Sequence, residues 1–199
     1  MKILKFEDRE TWLNARQGKI TGTRLKDIIV KRGTEYKIGF YELIAEKIGV
    51  VDTENPMDRG IRLEEEAIGR FTKETGKKVD TSLVIWARDD NENIAVSPDG
   101  RIGKTEAVEA KCLSSARHIE AYLKREIPKD LEMQTIQYFI VNELLKKLHV
   151  VFYDPRIPAL DYFVIEVNRT DKKEEIEEYL DYQKKTLEEV EKVVLSLTF

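Results

Sequence analysis

A chain of 199 residues with 41% hydrophobic, 36% charged and 9% aromatic residues, and only 10 Gly and 5 Pro, has a globular composition that excludes an extended disordered chain and a collagen-like repeat. No apolar run approaches the roughly 20 residues that span a bilayer, and the opening stretch MKILKFEDRE turns charged too early for a secretory signal, so a cytoplasmic protein without membrane association is expected. A single cysteine, Cys112, and two histidines, His118 and His149, exclude an intramolecular disulfide, a zinc finger and a four-thiolate cluster.

The net charge of -4 is unevenly spread. Residues 171–199 hold 9 acids against 5 bases, whereas residues 1–32 hold 9 bases against 4 acids. A basic N-terminal part therefore coexists with an acidic tail, and the acidic total does not exclude a nucleic-acid partner.

No repeat and no Pro/Gly/Ser-rich linker breaks the chain, so one domain over 1–199 is expected, with basic N-terminal helices (1–50), a core (51–168) and an acidic C-terminal helix (169–199). Asp8 caps a short helix carrying Trp12 and Ala15, which Gly18 ends. A second helix begins after Thr21 with Leu25, Ile28 and Ile29 inward, and a third over about 37–48 has Phe40, Leu43, Ile44 and Ile48 at helical spacing. After Pro56 and Gly60 comes a fourth, about 61–75, stopped by Gly76. The period then shortens: 79–87, 93–97 and 105–112 read as three strands, the last two joined by PDGRIGK, as in an antiparallel meander. Helical patterns return over about 115–126 and 130–147, strands follow at 149–153 and 162–168, and a long charged helix closes the sequence. Helices first, strands in the middle and mixed elements after them give an α/β sandwich.

The stretches SPDG (97–100) and VEAK (108–111) carry the chemistry. Strand alternation sends Glu109 and Lys111 to one face and Val108, Ala110 and Cys112 to the other. If 94–97 and 105–111 form a hairpin, Asp99 sits just past the neighbouring strand end, close to Glu109. Two close carboxylates repel and favour a cation between them, and an oxygen-only pocket suits magnesium or manganese. The plain alternative is an exposed strand of alternating charge, since an acid two residues before a lysine occurs three times in the chain.

A third acid, Glu64, falls within the apolar stripe Leu63, Ala67, Ile68 and Phe71, where a carboxylate needs a metal or an ion pair with Arg59 or Arg62. Gln137 lies among apolar Met133, Ile140, Val141 and Leu144, so its amide requires partners: a lysine or water at a site, or other groups of the core. Arg16 with the hydroxyls of Thr21 and Thr23 at a helix start is either a phosphate pocket or an ordinary cap beside a surface arginine.

Taken together, RGIRLEEEA, SPDGRIG, VEAKC, MQTIQYF, the N-terminal WLNARQGKITGT and FYDPR resemble the PD-(D/E)XK nuclease superfamily, specifically its lambda-exonuclease-like or YqaJ-like viral recombinase family, over residues 12–167. The resemblance implies a restriction-endonuclease-like α/β core, a central mixed β-sheet flanked by helices. It implies Asp99 and Glu109 as metal ligands with Glu64 and the Ala110 carbonyl, Lys111 as the catalytic lysine, and one or two magnesium or manganese ions. Gln137 matches the family glutamine best; the pattern departs at the preceding glutamine, where Thr135 stands in the expected place and Gln134 is offset by one residue. Arg16, Thr21, Thr23 and Ser97 take the 5′-phosphate of a duplex DNA end. The implied activity is digestion of double-stranded DNA ends from 5′ to leave 3′ single strands for a single-strand annealing protein, by a homo-oligomer in the form of a trimeric ring. The alternatives are a structure-specific or restriction-type endonuclease of the same superfamily, a non-catalytic DNA-end-binding module, and a protein-interaction domain with ion-paired acids.

Overall fold

The structure, a computed structural model, describes residues 1–15 and 56–198; the helices expected after Thr21 and over 37–48 lie outside the described residues, as do Gly18, Arg16, Thr21 and Thr23. Strand β1 (Lys2–Lys5) opens the chain, a four-residue element too short to stand out in the sequence. Asp8 accepts the Thr11 N–H at 2.8 Å and so starts helix α1 (Arg9–Ala15), as its position predicts. Helix α2 (Pro56–Thr75) begins five residues earlier than the sequence pattern indicates, with proline in its first turn, and ends where Gly76 adopts φ 67°.

The strand expected over 79–87 shortens to β2 (Val84–Ala87), because Asp80 turns back to accept both the Ser82 N–H and its hydroxyl. Strand β3 (Ala95–Val96) pairs antiparallel with β2, which pairs with β1, giving a sheet of order β1-β2-β3. The expected hairpin between 94–97 and 105–111 does not form. Instead the chain leaves β3 at Pro98 and a new strand, β4 (Gly100–Ile102), pairs with β5 (Glu106–Lys111). Gly100 makes the change of sheet possible: a Cβ there would lie 2.4 Å from Val79 Cγ1.

Helices α3 (Ser115–Lys124) and α4 (Lys129–Val141) then connect β5 to β6 (Lys147–Tyr153), which runs parallel to it. Helix α4 stops well before 147 because Asn142 turns extended and its side chain accepts the Leu144 N–H. Strand β7 (Tyr162–Asn168), found over the residues expected, completes the mixed sheet β4-β5-β6-β7, and helix α5 (Lys173–Thr198) follows. The meander expected from local pattern is thus replaced by the mixed sheet flanked by helices that the resemblance implies. No helix among the described residues is long and apolar enough to cross a membrane.

Alternation along β5 and β6 sorts the core. Val108, Cys112 and Val151 face α2, packing on Leu63, Ala67, Ile68 and Phe71. Ala107, Leu148, Val150 and Phe152 face α4 and α5, packing with Met133, Ile136, Tyr138, Ile176 and Tyr179. Each such buried side chain stabilises by roughly 1.5–3 kcal/mol for the larger residues. Glu109 and Lys111 have the parity of Ala107, so they project toward α4.

Two arginines hold the C-terminal end of α4. Arg88, nearly buried, donates to the Ile140 carbonyl at 2.6 Å and to Asp90 and Glu143, and Arg169 donates to the Phe139 and Asn142 carbonyls at 2.8 and 3.2 Å. They supply the positive charge that the last turn of α4 lacks. Arg88→Ala is expected to cost about 2–3 kcal/mol through lost charged hydrogen bonds, a fall of roughly 4–12 °C in Tm by circular dichroism.

Candidate active site

Glu109 is the centre of the cluster. Its Oε1 accepts from Lys111 Nζ at 2.6 Å and from Gln134 Nε2 at 2.5 Å, and its Oε2 accepts from the Tyr138 hydroxyl. Gln134 Oε1 in turn accepts from Lys111 Nζ at 2.7 Å. The amide orientation is fixed by chemistry, because a carboxylate only accepts and an ammonium only donates. Glu109 is 3% exposed, so these donors replace the water it has lost.

Asp99 approaches from the turn before β4. Its Oδ2 accepts the Ala110 N–H at 2.8 Å, which ties it to the middle of the Glu109-Ala110-Lys111 triplet. Burial and then the charges of Glu109 and Glu64 push the Asp99 carboxyl well above its ordinary range, with Lys111 and the Ala110 N–H acting in the opposite sense. Glu64 is thereby placed within electrostatic reach of Asp99, from the half-buried flank of the α2 stripe. The Tyr138 hydroxyl is likewise raised well above its ordinary value, by burial and by the Glu109 and Asp99 carboxylates, so it remains protonated and serves as a donor.

The donor set suits a hard divalent cation. Among the described residues no three His, Cys, Asp or Glu side chains are gathered as a preformed metal cage. Magnesium needs none: it binds through one or two carboxylates and keeps waters and substrate phosphate oxygens for the rest. Asp99 and Glu109, with the crowding of negative charge that raises Asp99, fit such an ion, which would relieve the repulsion that Lys111 relieves here in part.

Gln137 is not in this cluster. It is fully buried on another side of α4, where its Nε2 donates to the Ala95 carbonyl and to Gln183 Oε1. The glutamine beside the lysine is Gln134, and with it comes Tyr138, which sequence reasoning missed. Their i, i+4 spacing places them one above the other on the helix and was the available signal. It was masked because residues 135–141 are all buried, Thr135 and Gln137 among them, so polarity marks no single face over the second half of α4. Ser97 is placed two residues before Asp99, with its carbonyl 3.4 Å from the Tyr138 hydroxyl. Its own hydroxyl is buried and has no hydrogen-bond partner among the described residues.

The sequence profile of the YqaJ-like viral recombinase domain matches residues 11–144, more than half of the chain. No curated protein sequence matches it. Among solved structures, the alkaline exonuclease LHK-Exo from Laribacter hongkongensis superposes with a TM-score of 0.67 at 24% identity, over 96% of this chain and 100% of that one. The LHK-Exo complex with dAMP gives the same values, TM-score 0.67 and 24% identity over 96% and 100% of the two chains. A phage related exonuclease from Haemophilus somnus 129PT has a TM-score of 0.47 at 15% identity, over 86% of this chain and 96% of that one. The likeness to LHK-Exo is one of fold: this chain has the mixed α/β architecture of that alkaline exonuclease.

Proposed function

Because this chain belongs to the YqaJ-like viral recombinase domain family, we propose that it is a metal-dependent deoxyribonuclease, an exonuclease that degrades duplex DNA from the 5′ end to leave 3′ single strands for recombination. The observation that carries this reading is the meeting of Asp99, Glu109 and Lys111 around one backbone triplet of β5. Structural neighbours whose names record exonuclease activity support it.

In this reading Asp99, Glu109, the Ala110 carbonyl and Glu64 hold magnesium or manganese. Such an ion lowers the pKa of a bound water and neutralises charge on the scissile phosphate. Glu109 and Gln134 take two of the three N–H groups of Lys111 among the described residues, and the third is offered to the attacked phosphate or to water. Gln134 and Tyr138 lock the Glu109 carboxylate, so Gln134→Leu and Tyr138→Phe are each expected to lower kcat or metal affinity by about 10- to 100-fold. Arg16, Thr21, Thr23 and Ser97 receive the terminal 5′-phosphate, and the working form is a homo-oligomeric ring of three chains that hands its product to a single-strand annealing protein.

The purified chain should digest linear duplex DNA with magnesium or manganese and be silent in EDTA. Ends bearing a 5′-phosphate should be preferred over 5′-hydroxyl ends, and Arg16→Ala should nearly erase that preference while leaving slow hydrolysis. The lost charge-assisted contact corresponds to about 1.5–3 kcal/mol, roughly 10- to 150-fold. Cleavage of sealed circular duplex would instead identify an endonuclease, and no nucleolysis with either metal would overturn the reading.

A further inference from the structure

Gln137 and Gln183 are both fully buried and pair their amides reciprocally. Gln137 Nε2 donates to Gln183 Oε1 at 3.0 Å, and Gln183 Nε2 donates to Gln137 Oε1 at 2.9 Å. Each amide also donates to a backbone carbonyl, Gln137 to Ala95 and Gln183 to Tyr179, both at 3.2 Å. Apolar side chains of similar volume would pack α5 on α4 without any need for partners, so the polar pair has to be explained by what it holds.

It holds the outer edge of β3. The Ile94 carbonyl faces β2, where it accepts the Arg88 N–H. By strand alternation the carbonyls of Ala95 and Ser97 face the other way. Gln137 donates to the first of these, and the Tyr138 hydroxyl, whose proton goes to Glu109, lies 3.4 Å from the second. Two successive side chains of α4 thus stand where a neighbouring strand would supply N–H groups. β3 is only two residues long, and Pro98 and Asp99 follow immediately after Ser97. The placement of Asp99 therefore depends on how this edge is held.

We propose that Gln137 and Gln183 are positioning residues: α5, through Gln183, orients the Gln137 amide on the edge of β3 and so fixes the Asp99 carboxylate beside Ala110 and Glu109. The catalytic consequence rests on the nuclease reading above, whereas the placement of Asp99 is measurable without it. The C-terminal helix is then part of the site's framework, although the hydrogen-bond partners given above for Glu109, Lys111 and Asp99 lie on β5 and α4.

The test compares the full-length wild type with Gln183→Leu, Gln137→Leu and the Gln137→Leu/Gln183→Leu double variant. Its primary readout is amide exchange at Ala110, whose N–H donates to Asp99, against Val150 in the centre of the sheet as an internal control. Each single variant leaves a buried amide without its partner and should lower Tm. The double variant leaves no orphan amide and should recover most of that loss, which keeps the test valid if a single variant fails to fold. Exchange at Ala110 should rise about tenfold relative to Val150 in the double variant and in any folded single variant, because the Ala95 edge is no longer held as in wild type. The half-saturating magnesium concentration in a thermal-shift titration should rise, and kcat should fall by about tenfold with KM for DNA unchanged. A double variant with wild-type Ala110 protection would show that the pair only packs the helices, and would overturn the proposal. A wild type without magnesium binding or nuclease activity would overturn the functional reading, while the Ala110 exchange would still decide this one.

Discussion

Glu109→Gln is expected to lose DNA cleavage by on the order of 10³-fold while keeping its stability, and Glu109→Ala to lose cleavage and be destabilised as well. The difference follows from the hydrogen bonds. Lys111 and Gln134 both donate to Oε1, which a glutamine retains as its amide oxygen. Tyr138 donates to Oε2, and its hydroxyl can rotate to accept from the amide NH₂ that would replace it. Alanine instead strands a buried ammonium, an amide and a phenol at once, at about 3–5 kcal/mol, or roughly 6–20 °C in Tm. Lys111→Ala is expected to match the cleavage defect of Glu109→Gln. Lys111→Arg should not rescue it, since a guanidinium fork cannot occupy the single point between Glu109 and Gln134. Rates on linear duplex DNA, measured beside thermal unfolding, check the pattern; either Glu109→Gln or Lys111→Ala within tenfold of wild type would remove these residues from the chemistry.

The residues that sequence reasoning read best are those whose neighbours are set by local period. Alternation in β5 put Glu109 and Lys111 on one face, and the 3.6-residue stripe of α2 put Leu63, Ala67, Ile68 and Phe71 inward, where all four are buried, whereas Glu64, expected within that stripe, is half-buried. What it misread was decided at long range. The change of sheet between β3 and β4 depends on Val79 closing over Gly100, a contact that no pattern within 94–111 contains.

Gln137 illustrates the same limit on a helix. Its amide was open to two readings, a site partner or a satisfied core group, and the choice depended on Gln183, which sits 46 residues away in a segment dominated by charge. Gln183 is fully buried there, next in the helix to exposed Tyr182. Charge density thus marked the outer side of α5 and concealed the inner one. The order of motifs along the chain carried more than any of these local signals, because it reflects the whole arrangement of the sheet.

Asp99→Asn is expected to separate stability from metal binding. In the folded protein the Asp99 carboxyl lies well above its ordinary value, chiefly through burial and the Glu109 and Glu64 charges. A folded-state value above the unfolded one means that the folded protein binds the extra proton. Stability without metal therefore falls as pH rises from the ordinary carboxylate range through the raised value, by up to about 1.4 kcal/mol per pH unit. Asparagine never ionises, so the metal-free variant should be increasingly more stable than wild type across that window. Magnesium should reverse the order. At about 100 times its Kd it stabilises a protein that binds it only when folded by about 2.7 kcal/mol, or roughly 5–11 °C in Tm for a chain of this size, and the variant should show no such shift. Because the ion and a proton compete for Asp99, the magnesium concentration giving half the shift in wild type should fall as pH rises through the same window. Differential scanning calorimetry at several pH values, with EDTA and with magnesium, gives both readings. An asparagine variant that keeps the magnesium shift would take Asp99 out of the metal site, and one that is less stable than wild type in EDTA throughout would contradict the charge crowding from which the site is inferred.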